Sequence, residues 1–424
     1  SRATIDRSTM NDQALQSTDL QADTGRLLGR IQTLGLVGGL EGGGVCRLAL
    51  TDQDHEGRDL VHGWMRELGL ATRVDQIGNV VGIRQGAEDS APVMIGSHID
   101  SVATGGLYDG ALGVLAGLEA VHTLNDAGIT TRCPVAVGFF TNEEGARFAP
   151  DMMGSAVHQG SLPLVEALET VGTDGQSVGS ELDRIGYSGD VPVNELVPRA
   201  YLELHIEQGP VLEESGTTIG AVTGVQGISW TEFQFSGVSN HAGTTPMRLR
   251  HDAGYVAAAV AVEARAIATR LGGHQVATVG VTELGPNLVN VIANQARVTV
   301  DLRNTSDSEL ALAEARMANF VASTAASEEV ELQQRTLARF SPVEFDPQIV
   351  GLIEAAAGRC GCSCQRLPSG AGHDAQMFAP NCPTGMIFVP SLGGISHNVT
   401  EFTSKEDIAA GMNILMQVLT ELSG

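Results

Sequence analysis

The chain is short of basic residues, sparing with cysteine and free of long apolar runs, and each shortage removes a class of function. Only 25 Lys and Arg stand against 50 Asp and Glu, a formal charge of −25 over 424 residues. Such a surface repels nucleic acid and anionic membrane, so neither is expected as a partner, and an anionic substrate needs a locally positive site. No stretch reads as a membrane span, and Ser1 to Leu20 is polar, without the apolar centre of a secretory signal. The six cysteines, Cys46, Cys133, Cys360, Cys362, Cys364 and Cys382, are too few and too scattered for a disulfide framework. Reduced thiols and a polar start suit a cytoplasmic protein. The alternation Cys360, Cys362, Cys364 lacks the usual zinc spacing and reads as packing at a strand or helix end.

What is present is ample material for a core, 42% hydrophobic residues in a chain longer than one core usually serves, so two domains are expected. The organising stretch is Ser97-His98-Ile99-Asp100 through Tyr108-Asp109-Gly110. Upstream, Val93-Met94-Ile95 reads as a buried parallel strand; downstream, Ala111, Val114, Leu115, Leu118 and Val121 have helical spacing, predicting a helix from Gly110 to about Ala127. Singly, Asp109 has the ordinary reading of an N-cap and His98 that of a strand-end histidine. The next apolar run, Val135 to Phe140, leads into Thr141-Asn142-Glu143-Glu144-Gly145, completing a βαβ unit whose strand ends share one sheet edge. A third strand, Ala200 to Ile206, delivers His205, and a fourth, Met386 to Val389, precedes Ser396-His397-Asn398. Three histidines thus fall at comparable topological positions with Asp109 and Glu144.

Outside these elements, residues 58 to 69 read as an amphipathic helix and Thr72 to Ile83 as a β-hairpin turned near Gly78-Asn79. From Thr218 to about Phe340 the texture changes to strands at Gly220–Val225, Ile228–Gly237, Val276–Thr282, Ala296–Arg303 and Val330–Leu337, with helices at Ala253–Leu271 and about Ser306–Ala326. Strand, helix, two strands, helix, strand fits a ferredoxin-like sheet. Helices from about Gln348 to Ala357 and from Lys405 to Leu422 complete the chain. The expected architecture is α/β: a mainly parallel-sheet domain from 1–220 and 338–424, interrupted by an α+β domain at 221–337.

Six ordered segments carry a family resemblance: Gly96 to Asp100, Tyr108 to Gly113, Thr141 to Phe148, Leu204 to Pro210, His241-Ala242-Gly243-Thr244-Thr245-Pro246-Met247 and Gly372-His373-Asp374-Ala375. Together they resemble the amidase, hydantoinase and carbamoylase branch of the di-zinc aminoacylase and carboxypeptidase clan, from about residue 25 to the end. Val399 departs from the pattern where many relatives have proline, and touches no implied ligand.

The resemblance implies two divalent ions, zinc or else manganese, cobalt or nickel. Asp109 is implied as a bridge, with His98 and His205 at one ion and Glu144 and His397 at the other. Asp100 is implied as the outer partner of His98, and Glu143 as the group that takes a proton from the attacking water and passes it to the leaving nitrogen. The implied substrate is a small ureido acid, an N-carbamoyl-L-amino acid first, with allantoate, ureidoglycolate and N-carbamoyl-β-alanine as alternatives. A urea-type carbonyl is a poor electrophile, so stabilising its oxyanion is a hard part of the reaction; His241 is implied as that donor. Asn290 and Arg303 are implied as a clamp on the substrate carboxylate, with Gln208 near the other end. Alternation along Ala296 to Arg303 independently puts Arg303 on the polar face of its strand, a place equally suited to a solvated edge charge. A homodimer through the inserted domain, with His241 reaching the partner's metal site, completes what the resemblance implies. A dipeptidase of the same clan is the closer rival, disfavoured by His205 where the peptidase branch commonly has an acid and by Gln208-Gly209-Pro210.

Overall fold

Continuous apolar runs become fully buried strands here, and alternating ones become half-buried strands, which divides the chain. The computed structural model describes residues 20–424; the polar start from Ser1 to Asp19 lies outside the described residues. In chain order the elements are α1 (Thr24–Gly35), α2 (Asp52–Glu67), β1 (Ala71–Val74), β2 (Val80–Arg84), β3 (Val93–Ser97), α3 (Ala111–Asp126), β4 (Val135–Phe139), α4 (Met153–His158), α5 (Leu164–Glu169), α6 (Val178–Ile185), β5 (Ala200–Ile206), α7 (Val211–Ser215), β6 (Ile219–Val225), β7 (Gly227–Ser236), α8 (Ala253–Leu271), β8 (Val276–Gly285), β9 (Gln295–Asn304), α9 (Asp307–Ser327), β10 (Glu331–Phe340), β11 (Val343–Glu344), α10 (Pro347–Arg359), β12 (Cys364–Ser369), α11 (Asp374–Phe378), β13 (Thr384–Val389) and α12 (Lys405–Ser423). The described residues fold as two units: one running up to Ala221 with Gln348–Gln365 and Met386–Gly424, and one of Val222–Pro347 with Arg366–Gly385.

In the first unit the strands run in the order β1-β2-β4-β3-β5-β13. At its centre β3 lies parallel to both β4 and β5, pairing Val93 with Val135 and with Ala200, whereas β2 and β1 continue antiparallel beyond β4. The three central strands are buried along their whole length, as continuous apolar runs covered on both faces require. Helix α3 is apolar almost all round and buried accordingly, its close approach made possible by Gly117, where a Cβ would stand 2.9 Å from Val137. Because β3, β4 and β5 point the same way, their C-terminal ends share one sheet edge. The expected helix at 58–69 begins earlier, at Asp52, because the Thr51 side chain caps it by accepting from the Asp54 N–H at 3.3 Å. Among the described residues no helix is long and apolar enough to cross a membrane, and all six cysteines are free.

The second unit holds a sheet in the order β10-β7-β9-β8, antiparallel at each junction, which is the ferredoxin-like order expected from the element sequence. Strand β9 alternates strictly: Ala296, Val298, Val300 and Leu302 face inward, and Arg297, Thr299, Asp301 and Arg303 face outward. The inward set joins Phe233 and Phe235 of β7, Val256 and Val260 of α8, and Leu310, Met317 and Val321 of α9 in one core. Truncating Phe233 or Leu302 to Ala should cost about 2–5 kcal/mol of this unit's stability.

Candidate metal centre and active site

At the end of β3 the chain turns through His98-Ile99-Asp100, held from below by the buried Arg47. Its Nε donates to the Ile99 carbonyl at 2.6 Å and its Nη1 to Leu34 and Val37 carbonyls at 3.1 and 2.9 Å. Gly110, at φ +66, is the N-cap of α3 and makes no side-chain cap bond, so Asp109 is not the cap. A Cβ at Gly110 would stand 2.4 Å from the His98 ring, so only glycine allows that imidazole its place. Beyond β4, Asn142 takes a left-handed turn at φ +55 and anchors it by donating to the Phe148 carbonyl at 2.8 Å. Gln208 and His397 also hold left-handed conformations, at φ +60 and +53. Such conformations cost on the order of 1–3 kcal/mol each and persist where surrounding structure imposes them, commonly at functional sites.

These turns gather the implied ligands around Asp109. Its Oδ1 lies 3.5 Å from His98 Nε2 and 3.3 Å from His205 Nε2, while its Oδ2 lies 3.3 Å from His397 Nε2. Glu144 Oε2 is 3.1 Å from His397 Nε2, and Glu143 Oε2 is 3.3 Å from His98 Nε2. The donor atoms of His98, Asp109 and His205, and separately those of Asp109, Glu144 and His397, fall within 4.8 Å of one another. One carboxylate therefore belongs to two sets, one oxygen to each.

The donor chemistry fits a cation in each set. His98 and His205 direct Nδ1 at the backbone carbonyls of Asp100 and Ile206, at 2.9 and 2.8 Å, so Nδ1 carries a proton and Nε2 is the nitrogen that faces the Asp109 carboxylate and would bind a cation on losing its own proton. Burial opposes charge on His98, but Glu143 and Asp109 outweigh it and hold the imidazole well above its usual range. Burial likewise works against an ionised Asp109, and the three histidines overcome it, keeping that carboxyl well below the usual range. His397 is pushed up to about 10 by its bonds to Asp109 and Glu144. The cluster thus draws positive charge toward its centre, as a site able to hold a metal cation does.

Asp100 differs from expectation. Its carboxylate lies 3.8 Å from His98 Nδ1, and its two oxygens accept instead from the Glu143 and Glu144 N–H groups, each at 3.2 Å. The partner of His98 is the Asp100 main-chain carbonyl, and the side chain fixes the two glutamates. Gln208 donates from Nε2 to Asp109 Oδ2 at 2.9 Å, while its buried Oε1 has no partner among the described residues. Ser396 and Glu401, not singled out from the sequence, also belong here: Glu401 Oε1 accepts from the Tyr108 and Asp109 N–H groups, and Ser396 Oγ reaches both acids.

The second unit carries the other implied residues. Exposed His241 accepts at Nδ1 from the N–H groups of Gly243 and Thr244, at 3.0 and 3.2 Å, so the neutral ring carries its proton on Nε2 and offers a donor outward. The Asn290 carbonyl accepts from Ala242 N–H at 2.9 Å, which ties the two loops together, and Asn290 too is exposed. Arg303 lies at the far end of β9, its fork taken by its strand neighbour Asp301 (Nη2 to Oδ2, 2.9 Å) and its Nη1 by the Gly370 carbonyl at 3.0 Å. His373 is buried and bonded to Ser369 at 2.8 Å.

Comparison with known proteins gives the family. Residues 94–421 match the family model of peptidase family M20/M25/M40. The chain is 41% identical to an N-carbamoyl-L-amino-acid amidohydrolase of Rhizobium meliloti over 93% of this chain and 95% of that one. It is 33% identical to a ureidoglycolate hydrolase of Arabidopsis thaliana over 96% and 88%. A solved amidase of the hydantoinase/carbamoylase family from Burkholderia multivorans superposes with a TM-score of 0.92 at 44% identity, covering 95% of this chain and 98% of that one. Motifs, fold and matched length converge: this chain is a hydrolase of peptidase family M20/M25/M40, in its hydantoinase/carbamoylase branch.

Proposed function

We propose that this protein hydrolyses the ureido C–N bond of N-carbamoyl-L-α-amino acids, giving the free amino acid, carbon dioxide and ammonia, with two divalent ions per chain. The observation that carries the reading is the division of the Asp109 carboxylate between two donor sets, with Glu143 outside both sets but 3.3 Å from His98 Nε2 of one of them. His98 and His205 would hold one ion, Glu144 and His397 the other, and Asp109 would serve both; zinc, manganese, cobalt and nickel all suit imidazole and carboxylate donors. When bound, such ions polarise the urea-type carbonyl and make water acidic enough to attack near neutral pH.

The chain's own residues do the rest. Glu143 takes a proton from the attacking water and delivers it to the leaving nitrogen, and Asp100 fixes Glu143 through its main-chain N–H. Gln208 Oε1, buried and unpartnered among the described residues, suits the ureido NH2 as donor. His241 Nε2–H donates to the oxyanion, and Asn290 with Arg303 reads the substrate carboxylate. For Arg303 this requires part of its fork to leave Asp301, or the carboxylate to use the remaining N–H groups.

A homodimer is part of the proposal, supported by the span of β9. His241 and Asn290 belong to loops at its N-terminal end, where Gly237 N–H donates to the Asn294 carbonyl, while Arg303 is at its C-terminal end. Eight residues of strand separate Gln295 from Arg303, about 26 Å, far more than a small ureido acid spans. If both groups bind substrate, that separation supports His241 and Arg303 serving different active sites, with the partner subunit supplying the missing half. Exposed Met247, Leu288 and Val289 around the His241 loop suit coverage by a partner. A cytoplasmic location accords with the six free thiols.

The test of substrate class is ammonia release from a panel of N-carbamoyl-L-amino acids, their D forms, N-carbamoyl-β-alanine, allantoate and ureidoglycolate. The highest kcat/KM is expected for a member of the L series. Faster turnover of allantoate or ureidoglycolate than of every N-carbamoyl-L-amino acid would replace the substrate while leaving the ion assignment intact.

A further inference from the structure

We infer that Glu401 is a positioning residue that locks the Asp109 backbone and the His397 loop into one piece, and so sets the spacing of the two donor sets. The inference rests on the reading of Asp109 as the shared ligand.

Glu401 is buried four residues beyond His397, where a turn closed by its own N–H on the Asn398 carbonyl at 3.0 Å brings the chain back inward. Its Oε1 accepts from two consecutive N–H groups, those of Tyr108 and Asp109, both at 3.1 Å. No other acceptor serves either N–H among the described residues. Its Oε2 lies 3.1 Å from Ser396 Oγ, and that hydroxyl also stands 3.3 Å from Asp109 Oδ2. Gln208 Nε2 donates to Asp109 Oδ2 at 2.9 Å and reaches Ser396 Oγ at 3.3 Å, closing the network.

Two further observations show the approach to be built in. A Cβ at Gly106 would stand 2.2–2.5 Å from atoms of the Glu401 side chain, so the carboxylate occupies the space a side chain at 106 would need. The next residue, Phe402, meets Tyr108 edge to face with centroids 6.3 Å apart. An acid beside Asp109 is electrostatically unfavourable, and its main-chain and hydroxyl donors are what make it tolerable. The geometric return is specific: Asp109 must offer one oxygen to each donor set, so a small rotation of its loop improves one distance only by spoiling the other. Gly105 and Gly106 leave that loop little stiffness of its own. Glu401 holds it from the segment that also carries His397.

The experiment compares Glu401→Gln, Glu401→Ala, Gly106→Ala and Ser396→Ala in the full-length protein loaded with zinc. Loss of zinc to a chelator is followed in time, beside kcat, KM and melting of the metal-free protein. Glu401→Ala and Gly106→Ala are expected to release zinc at least about tenfold faster, the scale of losing a ligand's outer partner, and to lower kcat more than they raise KM. Glu401→Gln keeps a carbonyl oxygen for the two N–H groups and an amide to donate to Ser396 Oγ, so it should recover most of the zinc retention. Ser396→Ala should fall between. A purely structural role would lower the melting temperature of the metal-free protein with zinc retention and kcat unchanged, and that result overturns the inference, as does a Gln variant as damaged as the Ala variant. If Glu401→Ala does not fold, Gly106→Ala and Glu401→Gln decide by the same readouts. Asp109→Ala separates the two levels: if it keeps both ions the shared-ligand reading fails, and if it loses them while Glu401→Ala and Gly106→Ala keep them only the role of Glu401 fails.

Discussion

In the first unit His98 and His205 are 1% exposed, each with Nδ1 committed to a carbonyl and Nε2 aimed at Asp109. In the second, His241 and Asn290 sit exposed on loops joined to each other mainly through backbone bonds, and the Arg303 fork rests on its own neighbour Asp301. The contrast separates two kinds of chemistry. Groups that polarise a bond and hold ions must be aligned before substrate arrives, because burial makes a misplaced charge expensive. Groups on exposed loops finish their geometry only when a ligand or a partner subunit displaces water, whether they read the substrate or, as proposed for His241, its oxyanion. Substitutions at the buried cluster of the first unit should therefore act on ions and proton transfer, and those in the second unit on contacts with the substrate and its transition state, with ion content unchanged.

The largest effect is expected from Asp109→Ala, which removes the ligand common to both sets. Turnover should fall to background, and elemental analysis should show well under the about two ions per chain expected of the wild type. Next, Glu143→Gln should keep its ions while kcat drops about a hundredfold or more, whereas Glu144→Gln should lose metal; reversed phenotypes would exchange their roles.

Crossing to the second unit, His241→Ala should lower kcat by about 10²–10³, the scale of losing one oxyanion donor, with ion content unchanged. Mixing inactive His241→Ala with inactive Glu143→Gln chains, with subunit exchange verified, should restore part of the activity if His241 serves the partner's site. Loss of ions in His241→Ala would break the contrast between the units. The smallest effect is expected from Arg303→Lys, which keeps the charge and loses the planar fork. There kcat/KM should fall at least about tenfold, ~1.4 kcal/mol, with melting temperature and ion content little changed.

Much of the first unit was legible because fully buried parallel strands are written as unbroken apolar runs: Val93–Ile95 and Val135–Phe140 are followed within four residues by His98 and Glu144, and Ala200–Ile206 carries His205 at its end. The strict alternation of β9 made the second sheet equally readable. Helices α4, α5 and α6 were not read, since six or eight residues give too few turns for a 3.6-residue period to stand out. Helix α1 was missed although Leu27, Ile31 and Leu34 share its buried face, because three glycines dilute the pattern. The family resemblance implied Asp100 as the partner of His98; the fold spends its carboxylate on the Glu143 and Glu144 N–H groups, a contact set by strand order and not visible in the sequence. Glu401 had no signal, since a lone acid in a loop has no period and the Asp109 N–H it accepts from lies 292 residues away in the chain.

The most direct test of the central claim is a titration of the metal-free protein with zinc while ammonia release from N-carbamoyl-L-amino acids is recorded. The account predicts no release without metal and a rise that ends at two ions per chain, for the L series and not the D. Undiminished release from the metal-free protein, or none from any N-carbamoyl-L-amino acid at full loading, would contradict it.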